Sequence, residues 1–183
     1  MHNVLHLMRN ALPALFGGAK PLTIGVIGVG SAHGDDQIAW YLIDQLAARG
    51  VADNIHLEKV LAPAVSLIHS LQCYERVILI DAADMGLGAG ECTVICDGAK
   101  VLSSQLQGAE CHFSSHHMGV AEMWQLAQQL ELSMPQINLF AVQIEHTETL
   151  SPISHTLRDR LPQLGVELDA LLGSLQAGLA HQR

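Results

Sequence analysis

Three stretches of the chain hold residue types that could do chemistry. The first is Gly28-Val29-Gly30-Ser31-Ala32-His33-Gly34-Asp35-Asp36, where an apolar run enters a glycine-rich turn that ends on two carboxylates. The second is Asp81, which closes the run Glu75-Arg76-Val77-Ile78-Leu79-Ile80. The third is Ser114-Ser115-His116-His117-Met118-Gly119. Each has an ordinary explanation. Asp35 can cap a following helix and Asp36 complete its first turn, both favoured by the helix dipole. Asp81 can be a hydrogen-bonded turn residue capping the loop that contains Asp84, and His117 a surface residue. For a lone Asp that explanation wins. However, a carboxylate closing an Ile/Val/Leu run is costly to bury without a partner. Asp36 is expected on the same edge. A histidine behind the capping hydroxyl of Ser115 feels the positive end of a helix, which keeps its imidazole neutral and able to bind a metal. Asp36, Asp81 and His116 are therefore read as one convergent set. Two carboxylates and an imidazole suit zinc or another divalent first-row ion. The metal-free alternative is acid/base work by the two Asp residues.

Other chemistries fit less well. The glycine turn superficially matches a dinucleotide fingerprint, but a pyrophosphate there would face two carboxylates and no Lys or Arg. A zinc site from Cys92, Cys96, Cys111 and His112 is the weaker reading, since none of the four cysteines forms a C-x-x-C pair. No G-x-S-x-G elbow is present.

The elements that would carry these residues follow from periodicity. Thr23 to Val29 reads as a buried strand, and Gln37 to Arg49 as a helix stopped by Gly50. Ile55 to Leu61 is a second strand and Ala64 to Leu71 a short helix. Glu75 to Asp81 is the clearest strand. Cys92 to Cys96 alternates like an edge strand, and Asp97 to Ser115 is mostly loop. His116 to Leu130 reads as a helix, Ile137 to Ile144 as a fifth strand, and a final helix follows Pro152 to about Ala180, with Pro162 a candidate interruption. This order predicts an α/β fold: a single three-layer domain with a mostly parallel, five-stranded twisted sheet and helices on both faces. The domain is expected over residues 21–183. Residues 1–20 read as an N-terminal extension, a short helix or partly disordered. Ligands in such folds gather beyond the carboxyl ends of the strands.

Composition narrows the function. The chain has 183 residues, 49% of them hydrophobic and 15% charged, which fits one folded domain rather than a disordered chain. Its formal net charge is −9, and no Lys or Arg lies between Lys100 and Arg158. No nucleic-acid or membrane partner is expected from such a surface. Eleven histidines outnumber nine Lys and Arg, which favours metal or proton chemistry. Reduced thiols, no spanning segment and no secretory signal point to a cytoplasmic protein. A monomer is expected.

Taken together, Gly34-Asp35-Asp36, the stretch from Ile80-Asp81-Ala82-Ala83-Asp84-Met85-Gly86-Leu87 to Gly90-Glu91, and Ser115-His116-His117-Met118 resemble the [NiFe]-hydrogenase maturation proteases. The resemblance runs roughly from Leu22 to Leu161. It is strongest over Val77 to Ile95, which is similar to the peptidases that mature the hydrogenase of formate-hydrogenlyase complexes. It implies an endopeptidase that removes a C-terminal extension from the hydrogenase large-subunit precursor after nickel insertion. It also implies that Asp36, Asp81 and His116 contact the nickel, which is mainly substrate-borne; another divalent cation can substitute in the isolated protein. The first loop departs from the family pattern: Ser31 replaces a common Asn, the segment between Gly30 and Gly34 is one residue shorter, and Gln37 and Ala39-Trp40 replace common glycines. The rivals are a nickel-sensing assembly factor or metallochaperone that does not cut, and a small-molecule-binding α/β domain. The carboxylate pair argues against the second. On this reading Asp35→Ala costs only a helix cap, on the order of 1 kcal/mol.

Overall fold

β1 (Ile24–Gly30) is buried along its whole length, as a strand with partners on both edges and layers on both faces must be. It lies near the start of the described part of a computed structural model, which comprises residues 23–61, 65–96, 112–113 and 120–180. The N-terminal extension lies outside these residues. β1 leads into a 3-10 turn (Gly34–Gln37) and then α1 (Ile38–Arg49), which stops at Gly50. Next come β2 (Ile55–Leu61), α2 (Val65–Leu71), β3 (Arg76–Asp84) and β4 (Cys92–Ile95). The two-residue β5 (His112–Phe113), α3 (Val120–Gln129), β6 (Gln136–Gln143) and α4 (His155–Ala180) complete the chain.

The strand order is β2-β1-β3-β6-β4, with β5 pairing to β3 off this path. β1, β2, β3 and β6 are parallel, and β4 is an antiparallel edge. Side chains alternate across the sheet. Ile24, Val26, Ile78, Ile80, Phe140 and Val142 pack with residues of α1 and α4. Ile27, Val29, Val77, Leu79, Ile137 and Leu139 pack with residues of α2 and α3. This is the expected three-layer α/β domain. The chain passes from β1 outward to β2, then crosses back to β3 on the other side of β1, so the connection reverses direction between β1 and β3. In open α/β sheets the carboxyl ends at such a reversal form the natural crevice for a ligand.

Three boundaries differ from expectation. β3 does not end at Asp81 but continues through Asp84, because β6 pairs with it as far as Ala83 and β5 pairs with Ala83 and Asp84. β5 is itself a short strand inside a stretch expected to be loop. α4 runs through Pro162 without a break. Leu157, Leu161, Leu164, Leu168, Leu171, Leu172 and Leu175 are all buried. Each such burial is worth about 1.5–3 kcal/mol, and the stripe outweighs the ~3 kcal/mol that an internal proline costs a helix.

Gly28 shows how closely the site end of the sheet is packed. A Cβ there would lie 2.8 Å from the Ala39 carbonyl oxygen and 2.9 Å from Ile43 Cγ1. Gly28→Ala should therefore lose about 1–3 kcal/mol in urea denaturation, since α1 must move off β1 to make room.

Candidate active site

The 3-10 turn folds back directly over β1. A side chain at Gly30 would collide with the backbone carbonyl of Asp36, so the second glycine of the Gly28-Val29-Gly30 stretch is needed for this close approach. The turn is closed by the Asp36 N–H donating to the His33 carbonyl at 3.1 Å. It is also tied to the loop between β6 and α4. The Gly34 and Asp35 N–H groups donate to the Ser151 and His146 carbonyls, and His33 Nδ1 accepts from the Leu150 N–H at 3.0 Å.

Asp35 completes this attachment. Its carboxylate is fully buried. Oδ1 accepts the Ser154 N–H at 2.7 Å, and Oδ2 accepts those of Glu145 at 2.9 Å and His146 at 3.1 Å. The expectation that Asp35 caps the following helix is thus corrected: its oxygens serve a loop more than a hundred residues away, and the turn makes no side-chain cap. Asp35, Glu145 and His146 could offer ligand atoms within 4.8 Å of one another. Three N–H donors already occupy both Asp35 oxygens, so this trio is a structural clamp rather than a cation site.

Asp36, the next residue, is 1% exposed and sits beside Asp81, also 1% exposed. Asp36 lies beyond the carboxyl end of β1, and Asp81 lies in β3 just past the last residue paired with β1, where the strand connection reverses. Asp81 Oδ1 accepts its neighbour's N–H, that of Ala82, at 3.0 Å. Oδ2 is buried and has no hydrogen-bond partner among the described residues. Burial first, and the Asp36 carboxylate second, push Asp81 up to about 8, against the smaller pull of the Ala82 N–H. A buried oxygen without a donor, next to a second carboxylate, is chemically suited to a proton or a cation. His116 and His117 lie outside the described residues.

The alternative Cys/His site is not assembled by the described residues. The Cys92 thiol donates to Glu167 Oε2 on α4 at 2.7 Å, and Cys96 is exposed. Cys111 lies outside the described residues. Cys73, Cys92 and Cys96 are free thiols.

Gln143 was not singled out in the sequence. It is buried at the end of β6, and its amide meets the loop after β3. The signal that exposed Asp81, a polar residue closing an apolar strand, applies equally to Gln143 after Ile137 to Val142.

Residues 62–168 match the family model described as hydrogenase maturation protease. The chain belongs to the hydrogenase maturation protease family. It is accordingly a peptidase. The matched stretch contains Asp81 and His116, whereas Asp36 precedes it. Among solved structures, this protease is similar to the hydrogenase maturating endopeptidase HybD from E. coli, with 17% identity and a TM-score of 0.68 over 84% of this chain and 93% of that one. It is similar to the [NiFe] hydrogenase maturation protease HycI from Thermococcus kodakarensis KOD1, with 17% identity and a TM-score of 0.62 over 89% and 99%. The same organism's HybD gives 18% identity and a TM-score of 0.64 over 82% and 99%. At these identities the likeness is one of fold. No curated protein matches the sequence.

Two measurements follow. Asp35→Ala should orphan three N–H groups and cost about 2–5 kcal/mol in urea denaturation, several times a helix cap. Between the ordinary Asp81 value of 3.8 and about 8, the folded protein holds a proton that the unfolded chain has already released. Metal-free protein should therefore lose stability as pH rises through that window, and Asp81→Asn should flatten the trend. Urea midpoints between about pH 5 and 8 are the readout.

Proposed function

We propose that this maturation protease removes the C-terminal extension of a [NiFe]-hydrogenase large-subunit precursor after nickel insertion, reading the substrate-held nickel with Asp36, Asp81 and His116. The observation that carries the reading is the buried Asp36 and Asp81 pair, whose Asp81 Oδ2 lacks a donor among the described residues. Carboxylate and imidazole ligands suit a nickel ion, and an incomplete ligand set leaves positions for the groups the substrate brings. His116 is included on the family resemblance of Ser115-His116-His117-Met118.

In the absence of a cation the pair keeps a proton on Asp81. Docking of the metal-bearing substrate releases that proton as the carboxylate becomes a ligand. Either carboxylate is in position to act as a general base towards water once substrate is seated. The family and the carboxylate pair together favour cutting over nickel sensing alone. The protease is taken to work as a cytoplasmic monomer. The free thiols of Cys73, Cys92 and Cys96 are consistent with a reducing compartment, and no described helix is long and apolar enough to cross a membrane.

Incubation with precursor, followed by the mobility shift of the shortened large subunit, is the direct test. Nickel-loaded precursor should be cut and nickel-free precursor spared; equal cleavage of both refutes the nickel requirement. Asp36→Ala, Asp81→Ala and His116→Ala should each abolish cutting while circular dichroism reports a folded chain. Full activity of His116→Ala removes the histidine from the set. Processing should also fail as pH falls through the imidazole range, near about 6.5, because protonated His116 cannot ligate.

A further inference from the structure

The glycine-rich segment after Asp84 has no role in the scheme above, yet it is held unusually firmly. All four hydrogen-bonding positions of the Gln143 carboxamide are used at this one place. Oε1 accepts the Met85 N–H at 2.6 Å and the Leu87 N–H at 3.2 Å. Nε2 donates to Asp84 Oδ1 at 3.1 Å and to the Ile144 carbonyl at 2.8 Å. The Gln143 backbone fixes the other end of the loop. Its N–H donates to the Glu91 carbonyl at 2.8 Å, and its carbonyl accepts the Gly90 N–H at 2.9 Å. One buried residue thus binds both ends of the segment from Asp84 to Glu91. Two links within the loop finish it, from the Gly86 N–H to Asp84 Oδ1 and from the Gly88 N–H to Glu91 Oε2.

This fastening presents an apolar side chain to solvent. Leu87 is 43% exposed at the tip, between two glycines that put no side chain beside it. The loop springs from β3 three residues after Asp81, at the same carboxyl edge of the sheet. Fixing the backbone of a residue costs conformational entropy. A loop already ordered by Gln143 does not incur that cost again when it meets a partner, so its contacts go further into affinity. A bare backbone flanking one apolar side chain also suits a polypeptide better than a compact ligand.

We propose that Gln143 is a positioning residue that holds the Asp84–Glu91 loop in one conformation, and that Leu87 at its tip grips an apolar part of the polypeptide substrate beside the reacting edge. This rests on the reading of Asp36 and Asp81 as that edge. Gln143 touches neither substrate nor reacting atoms; it acts through the loop. The Gln143→Glu change keeps the shape but replaces two donors with a charged acceptor facing Asp84 Oδ1 and the Ile144 carbonyl, which should release the loop.

The test is steady-state cleavage of nickel-loaded precursor, with precursor binding measured alongside. Leu87→Ala and Gln143→Glu should each raise KM and weaken precursor binding about tenfold, with kcat within about twofold of the parent chain. Val166→Ala, which alters a still more exposed residue on α4, should change neither. Leu87 is solvent-facing, so its variant will fold and decides the matter alone if Gln143→Glu does not. A parent chain that cuts with a KM and binding indifferent to Leu87→Ala overturns this inference and spares the function. A fall in kcat without a change in KM overturns it as well, because the loop would then be serving the carboxylates. A folded parent chain that neither binds nor cuts the precursor overturns both.

Discussion

The buried carboxylate of Asp35 is the interaction on which the site depends. The 3-10 turn has only four residues and cannot hold its own shape. Asp35 anchors it by accepting three N–H groups from the loop that joins β6 to α4. That bond set ties a segment near the start of the fold to one near its end, across the carboxyl edge of the sheet. Its neighbour Asp36 is thereby held where its charge acts on Asp81. Charged acceptors with several backbone donors are strong and geometrically demanding, so the turn has little room to shift.

Two buried carboxylates of this region consequently have opposite fates. Asp35 is saturated with donors, whereas Asp81 keeps one buried oxygen without a donor among the described residues. The fold satisfies one acid completely and leaves the facing pair electrostatically uncomfortable. Like charges in a dry site are tolerable only when a proton or cation intervenes. A buried oxygen without a donor costs folding stability, and groups with such perturbed titration cluster at functional sites.

Much of this was legible in the sequence. Apolar runs such as Thr23 to Val29 and Val77 to Ile80 identify buried parallel strands because both faces of such a strand must be apolar. Glycine after Arg49 marked the helix end for an equally local reason. The roles of Asp35 and Gln143 were not legible, since both depend on donors supplied by distant or newly turned backbone. Nothing around Gly34-Asp35-Asp36 indicates that residues 145–154 will come to meet it. The extension of β3 and the existence of β5 were hidden for a related reason. A two-residue strand has no periodicity of its own and forms only because a partner is already in place. Pro162 misled in the opposite direction, as a local rule overridden by the leucine stripe around it.

Asp81 lies within β3 rather than at its tip, with paired residues on either side of it. A side chain at the end of a strand can drift as the following loop changes length, but one locked in mid-ladder cannot. Insertions and deletions should therefore accumulate after Asp84, where the chain leaves the sheet. A single inserted residue between Val77 and Ala83 would turn every later side chain to the opposite face. The chain can remodel the rim of the sheet over evolutionary time without moving the Asp81 carboxylate.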